Sequence, residues 1–117
     1  MARKEPGEPY TRISSEEANE MVQKGNSVVV DVRQPDEYKD GHVAGALFIP
    51  VDDIMNRIGE LPDGKDLLFI CAAGVRSGLA CEMAAAMGVD SERLYNIEEG
   101  TPTWIGKDLP TSYGDEL

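Results

Sequence analysis

The chain carries a single histidine, His42, and only two cysteines, Cys71 and Cys81, in 117 residues. With no CxxC pair and no second histidine at ligand spacing, neither a zinc site nor a disulfide framework is expected. Positive charge is also scarce. Eleven Lys and Arg face 22 Asp and Glu, for a net charge of −11. Apart from Arg3-Lys4 there is no basic cluster, so nucleic acid and anionic membrane are excluded as expected partners. The opening MARKEPGEPY has no signal-peptide apolar region, and no apolar run reaches membrane-spanning length. A cytoplasmic, reducing setting is the expectation, and there a free thiol persists. Glycine-rich dinucleotide loops and Walker-type phosphate loops are missing, which argues against a nucleotide cofactor.

What is present suffices for one domain. Hydrophobic residues make up 41% of the chain, enough for a single core without covalent staples. Residues 1–9, with Pro6, Gly7 and Pro9 among charges, read as a mobile arm. Residues 10–110 read as the folded domain, and 111–117 as a polar tail.

The organising stretch runs from Asp66 to Gly88. Leu67-Leu68-Phe69-Ile70 fits a strand buried on both faces. Ala80, Met83, Ala84 and Met87 recur at helical spacing before Gly88, which ends the helix. Between strand and helix lies Cys71-Ala72-Ala73-Gly74-Val75-Arg76-Ser77. Such a turn directs its own N–H groups and the first N–H groups of the helix into the space it encircles, forming an anion cradle. A cysteine at its rim is expected to ionise more readily, because the helix N-terminus and Arg76 both favour thiolate.

Along the rest of the chain, Tyr10-Thr11-Arg12-Ile13 suits a short edge strand, and Ser14 with Glu17 forms a capping box for a helix that stops at Gly25. Ser27-Val28-Val29-Val30-Asp31-Val32 reads as a central strand. Pro35 begins a short helical turn closed by Gly41. A tight turn and brief strand follow over 42–50, then an Asp52-Asp53 cap for a helix with Ile54, Met55 and Ile58 inward. Arg93–Ile97 makes a last strand and Pro102–Ile105 begins a short helix. This alternation predicts a parallel α/β sheet with helices on both faces. Ligands of such sheets bind beyond the strand C-termini, where Asp31, Arg33, Cys71 and Glu98 are expected.

Asp31-Val32-Arg33 with Glu37-Tyr38, the run from Gly41 to Ala46 with Ile49-Pro50, the loop from Cys71 to Ser77, and Glu99-Gly100 with Trp104 together resemble the single-domain rhodaneses. The resemblance spans about Ile13 to Trp104. It implies a five-stranded, mainly parallel sheet and a sulfurtransferase in which Cys71 takes a sulfane sulfur from thiosulfate or a persulfide donor. The Cys71 persulfide then passes that sulfur to a thiol, cyanide or protein acceptor. Cys71 is the implied nucleophile, with Ala72, Ala73, Gly74, Val75, Arg76 and Ser77 as the substrate cradle. It implies no metal and no organic cofactor, and a monomer is favoured. Thiol phosphatases set one more residue between cysteine and arginine; the shorter ring here suits sulfur better than phosphate. Relatives that use thiosulfate carry basic residues where this chain has Ala72 and Ala73.

Plainer roles compete at each position. Cys71 can be a buried strand-end cysteine, Arg76 a solvated helix-start cation, and Ser77 an N-cap as readily as a substrate ligand. Cys81 reads as core filler, Asp31 and Arg33 as an ion pair supporting the cradle, and His42, Tyr38 and Trp104 as structural. A catalytically weak binding or redox-sensing module is the alternative to the enzyme.

Overall fold

Two β-rich segments at the middle of the sheet set the architecture. In the computed structural model, which describes residues 2–117, the chain runs β1 (Arg3–Lys4), β2 (Thr11–Ile13), α1 (Ser15–Gln23), β3 (Ser27–Asp31), α2 (Pro35–Lys39), β4 (His42–Val43), β5 (Leu47–Phe48), β6 (Asp66–Ile70), α3 (Val75–Ala86), β7 (Leu94–Ile97), α4 (Gly100–Gly106) and β8 (Thr111–Ser112). The main sheet has the order β1-β2-β7-β6-β3-β5, parallel throughout except for the β1 edge. β4 and β8 pair antiparallel in a separate ribbon.

The alternation of a pleated strand, with both faces covered, explains why β3 and β6 are apolar at consecutive positions, 28–30 and 67–70. Leu67, Phe69 and Cys71 face one side, packed with Val30, Leu94 and the α3 residues Ala80, Cys81 and Ala84. Leu68 and Ile70 face the other, packed with Val29, Ile97, Ala18 of α1 and Trp104 of α4. The Leu, Ile, Val and Phe side chains among them each contribute on the order of 1.5–3 kcal/mol when fully buried. Cys71 therefore falls on the α3 side because it continues the odd-numbered face of β6.

The mainly parallel α/β arrangement is as expected, with one difference. The sheet has six strands rather than five, because Arg3–Lys4 of the expected arm adds an antiparallel edge outside β2. β2 is thereby an inner strand. Arg3 and Lys4 are further tied by ion pairs to Glu98 and Glu92. From the expected tail, Thr111–Ser112 pairs with β4.

The predicted Asp52-capped helix is also corrected. Two 3₁₀ turns, Val51–Asp53 and Ile58–Glu60, stand there, and Met55 is 47% exposed while Ile54 is buried. The span from Pro50 to Pro62 is too short, and too interrupted by Gly59, to recover the cost of helix nucleation. The Ser14 capping box forms as predicted, and α3 gives way at Gly88, whose φ of 96° is left-handed.

Candidate active site

The loop that follows β6 is pressed against residues 98–101 through one glycine on each side. Gly74 caps α3 with φ 90°, and a Cβ there would lie 2.7 Å from the Glu98 carbonyl oxygen. Gly100 has φ 82°, and its Cβ would lie 1.9 Å from the Ala72 carbonyl oxygen. No L side chain fits either place. Thr101 completes the clamp: its N–H and its hydroxyl donate to the Cys71 carbonyl at 2.9 and 3.1 Å.

That clamp turns the Cys71 sulfur inward, toward donors. The Gly74 N–H donates to Sγ at 3.1 Å, and the Ser77 hydroxyl oxygen lies 3.3 Å away. Burial pushes the Cys71 thiol up, but the hydrogen bonds that a thiolate there accepts from the Ser77 hydroxyl and from the amides of Ser77, Ala73 and Gly74 outweigh it and hold the thiol below its ordinary value. Val75 and Arg76 open the helix, so their amides have no carbonyl partner inside it. Cys71 is only 1% exposed while Val75 is 80% exposed, so the sulfur sits at the floor of the loop and Val75 at its lip.

Ser77 is not the N-cap. Gly74 holds that position, and Ser77 is a buried residue of the first helical turn. Its hydroxyl donates to Asn96 Oδ1 at 2.6 Å, and Asn96 Nδ2 donates to the Gly74 carbonyl at 3.1 Å. Arg76 does not stand as a bare cation either. Glu37 of α2 pairs with it, is held down to about 2 by the Arg76 hydrogen bonds, and in turn raises the guanidinium.

Asp31 and Arg33 form the expected ion pair, 2.7 Å apart and buried, and Arg33 also donates to the Gly41 carbonyl at 2.8 Å. Their side-chain hydrogen bonds brace the end of β3 against the Gly41 turn rather than reaching the 71–77 loop. His42 stacks on Tyr38 at 3.7 Å, its ring nitrogens on the carbonyls of Tyr38 and Glu116. The Trp104 indole N–H donates to the Pro110 carbonyl. Burial pushes the Cys81 thiol well up, as suits a core residue.

Glu98 follows β7 and is engaged by Arg3 and Arg12. An open cleft of about 490 Å³ runs along the outside of the loop, walled by Ala73, Gly74, Val75, Leu79, Glu82 and Arg12 among others; Cys71 is not part of its wall. Among the described residues no three His, Cys, Asp or Glu side chains are grouped to hold a metal ion. No described helix is long and apolar enough to cross a membrane.

Asn96, Thr101 and Glu37 are the site residues that sequence reasoning missed. Asn96 had a visible signal, a lone amide in the otherwise apolar run Leu94–Ile97 that is 1% exposed here. Glu37 was legible only as part of the motif it shares with Tyr38; here it also caps α2, where the Gln34 N–H donates to it at 3.1 Å.

Comparison with known proteins identifies the family and the fold. The family model of the rhodanese-like domain matches residues 14–107. The YibN protein of Escherichia coli is 33% identical over 105 residues, covering 87% of this chain and 72% of that one. A protein of Allochromatium vinosum named sulfurtransferase is 31% identical over 99 residues, covering 84% of this chain and 91% of that one. Among solved structures, a rhodanese-related protein from Thermoplasma volcanium superimposes with a TM-score of 0.76 at 28% identity, over 86% of this chain and 96% of that one.

Proposed function

The chain belongs to the rhodanese-like domain family, and from that premise we propose that it is a sulfurtransferase working through a persulfide on Cys71. The observation that carries the reading is the placement of Sγ, 3.1 Å from the Gly74 N–H and 3.3 Å from the Ser77 hydroxyl oxygen, with the thiol lowered as a result. Loop donors that favour a thiolate also favour the negative outer sulfur of a persulfide. A relative named sulfurtransferase supports sulfur transfer as the activity.

In the first half-reaction the Cys71 thiolate attacks the sulfane sulfur of the donor. A new S–S bond forms, the donor's S–S bond breaks, and its electron pair leaves as a thiolate, or as sulfite when the donor is thiosulfate. In the second, an acceptor thiolate attacks the outer sulfur and Cys71 departs as thiolate. Ala73, Gly74, Val75 and Ser77 serve through backbone amides or hydroxyl, Ala72 through the turn, and Arg76 through its charge. Asp31 and Arg33 keep the neighbouring strand end in place. A reducing, cytoplasmic setting keeps the thiol available.

Arg76 is the loop's one side-chain cation, and its bidentate carboxylate partner offsets its charge. On this ground a persulfide of lower charge or a protein donor suits the cradle better than the thiosulfate dianion. The test is to incubate the protein with thiosulfate and, separately, with a cysteine persulfide, then weigh it intact. A gain of one sulfur atom that reductant removes and Cys71→Ser lacks is expected. The near-complete burial of Cys71 favours one rival, a catalytically weak binding or redox-sensing module; no adduct from either donor on reduced protein would overturn the sulfurtransferase reading and leave that rival standing.

A further inference from the structure

The hydrogen bonds behind Cys71 run in one direction, fixed by the Gly74 carbonyl at their far end. The Gly74 carbonyl can only accept, so the Asn96 group 3.1 Å from it must be the amide nitrogen. Asn96 therefore turns its carbonyl oxygen toward Ser77, and at 2.6 Å Ser77 must be the donor. Ser77 has one hydroxyl proton. With that proton on Asn96, the oxygen presents a lone pair to Sγ at 3.3 Å, an arrangement that suits S–H and not S⁻.

We propose that Asn96 is a positioning residue that sets how readily Cys71 ionises, by competing with the sulfur for the single proton of the Ser77 hydroxyl. While Cys71 is a thiol, donation runs from Cys71 to Ser77 to Asn96. When the thiolate forms, the hydroxyl turns to the sulfur and Asn96 loses its donor. The chain is not a proton relay, because a neutral amide oxygen does not take up a proton at working pH. The thiol proton leaves to solvent. Asn96 thus has two effects: by holding the Gly74 carbonyl it fixes the loop that aims the Gly74 N–H, and by holding the Ser77 proton it restrains the thiolate. All three side chains are buried, Ser77 at 0% and Cys71 and Asn96 at 1%, so water does not substitute for a lost partner.

The surrounding charges are separate from this competition. Arg76 acts on Cys71 from α3, with Glu37 of α2 upon it. From β3, Asp31 is in register with Ile70 and is paired with Arg33. Glu98 follows β7 and is held by Arg3 and Arg12. The inference rests on Cys71 being the reacting group, and its test is chosen not to depend on sulfur transfer.

The experiment follows thiolate absorbance against pH on donor-free, reduced protein, with Cys71→Ser as the blank. Asn96→Leu removes the competing acceptor, and the midpoint is expected to fall by about half to one pH unit. Ser77→Ala should raise the midpoint, and in that background Asn96→Leu should no longer lower it, since only its hold on the Gly74 carbonyl is left to lose. A midpoint unchanged or raised by Asn96→Leu overturns the proposal, as does an equal fall in the Ser77→Ala background. Should Asn96→Leu not fold, Asn96→Asp serves instead. Its carboxylate grips the hydroxyl proton harder, so the midpoint should rise, and by less once Ser77 is alanine; equal rises in both backgrounds overturn the proposal. Failure of wild-type protein to load sulfur while these shifts appear would sink the sulfurtransferase reading alone.

Discussion

Arg76 and Glu37 meet fork to fork, with guanidinium nitrogens 2.7 and 2.9 Å from the two carboxylate oxygens. The pair joins the loop to α2 and fixes the local charge beside Cys71. Both side chains are 32% exposed, so the pair is neither free in solvent nor sealed from it.

Breaking the pair from either side should move Cys71 in opposite directions. Glu37→Gln leaves the Arg76 charge uncountered, so alkylation of Cys71 at neutral pH should quicken and its pH midpoint fall by a few tenths of a unit to about one unit. Arg76→Ala should slow alkylation and raise the midpoint. Thiosulfate loading of Glu37→Gln should improve several-fold relative to persulfide loading. Profiles identical to wild type in both variants would remove Arg76 from the mechanism.

The same pair should stabilise the fold only above acid pH. Glu37 is lowered to about 2 by Arg76, whereas an unfolded glutamate titrates near ~4.3. Its contribution is therefore fully present above the unfolded value and is lost as pH falls through the folded one. Urea denaturation of wild type and Glu37→Gln should differ by up to about 1 kcal/mol near neutrality, with the gap closing between about pH 4 and pH 2. A gap constant across that window would contradict the assignment.

Gly100→Ala should be far more damaging than an ordinary surface substitution. Its Cβ would lie 1.9 Å from the Ala72 carbonyl oxygen at a left-handed φ, and relief requires the loop to move. A loss of about 3 kcal/mol or more in denaturant unfolding is expected, with Cys71 alkylation slowed in whatever folds. Gly74→Ala, against the Glu98 carbonyl at 2.7 Å, should behave similarly. Gly25→Ala tests backbone strain alone, since φ is 90° but nothing lies within 4 Å; it should cost about 1 kcal/mol and leave alkylation untouched.

Cys81 should be silent in the chemistry. Its thiol is raised by burial in the α3 face of the core. Cys81→Ala should keep the Cys71 sulfur adduct and cost about 1 kcal/mol of stability. Peptide mapping after brief alkylation at neutral pH should find label on Cys71 only; label on Cys81 at a comparable rate would reassign it as a second reactive thiol.

The parallel sheet was legible because β3 and β6 are apolar on both faces, a pattern only a doubly covered strand requires. The reactive loop was legible because strand, cysteine, small residues and helix occur consecutively. Local order also signalled the Ser14 capping box and the Gly88 stop. The short helix over 52–58 failed for the converse reason, as a local pattern that no packing surface completed.

By itself, then, the sequence determined the layering, the sulfur-bearing loop and its place at the carboxyl edge of the sheet, since each depends on residues adjacent along the chain. Only the tertiary structure decided what surrounds the sulfur. Asn96 arrives from β7, Glu37 from α2 and Thr101 from α4, and their partnerships with Ser77, Arg76 and Cys71 span 19, 39 and 30 positions. No periodicity encodes such separations; they arise because parallel strands carry distant segments to one edge, where buried polar groups must find partners or pay for their desolvation.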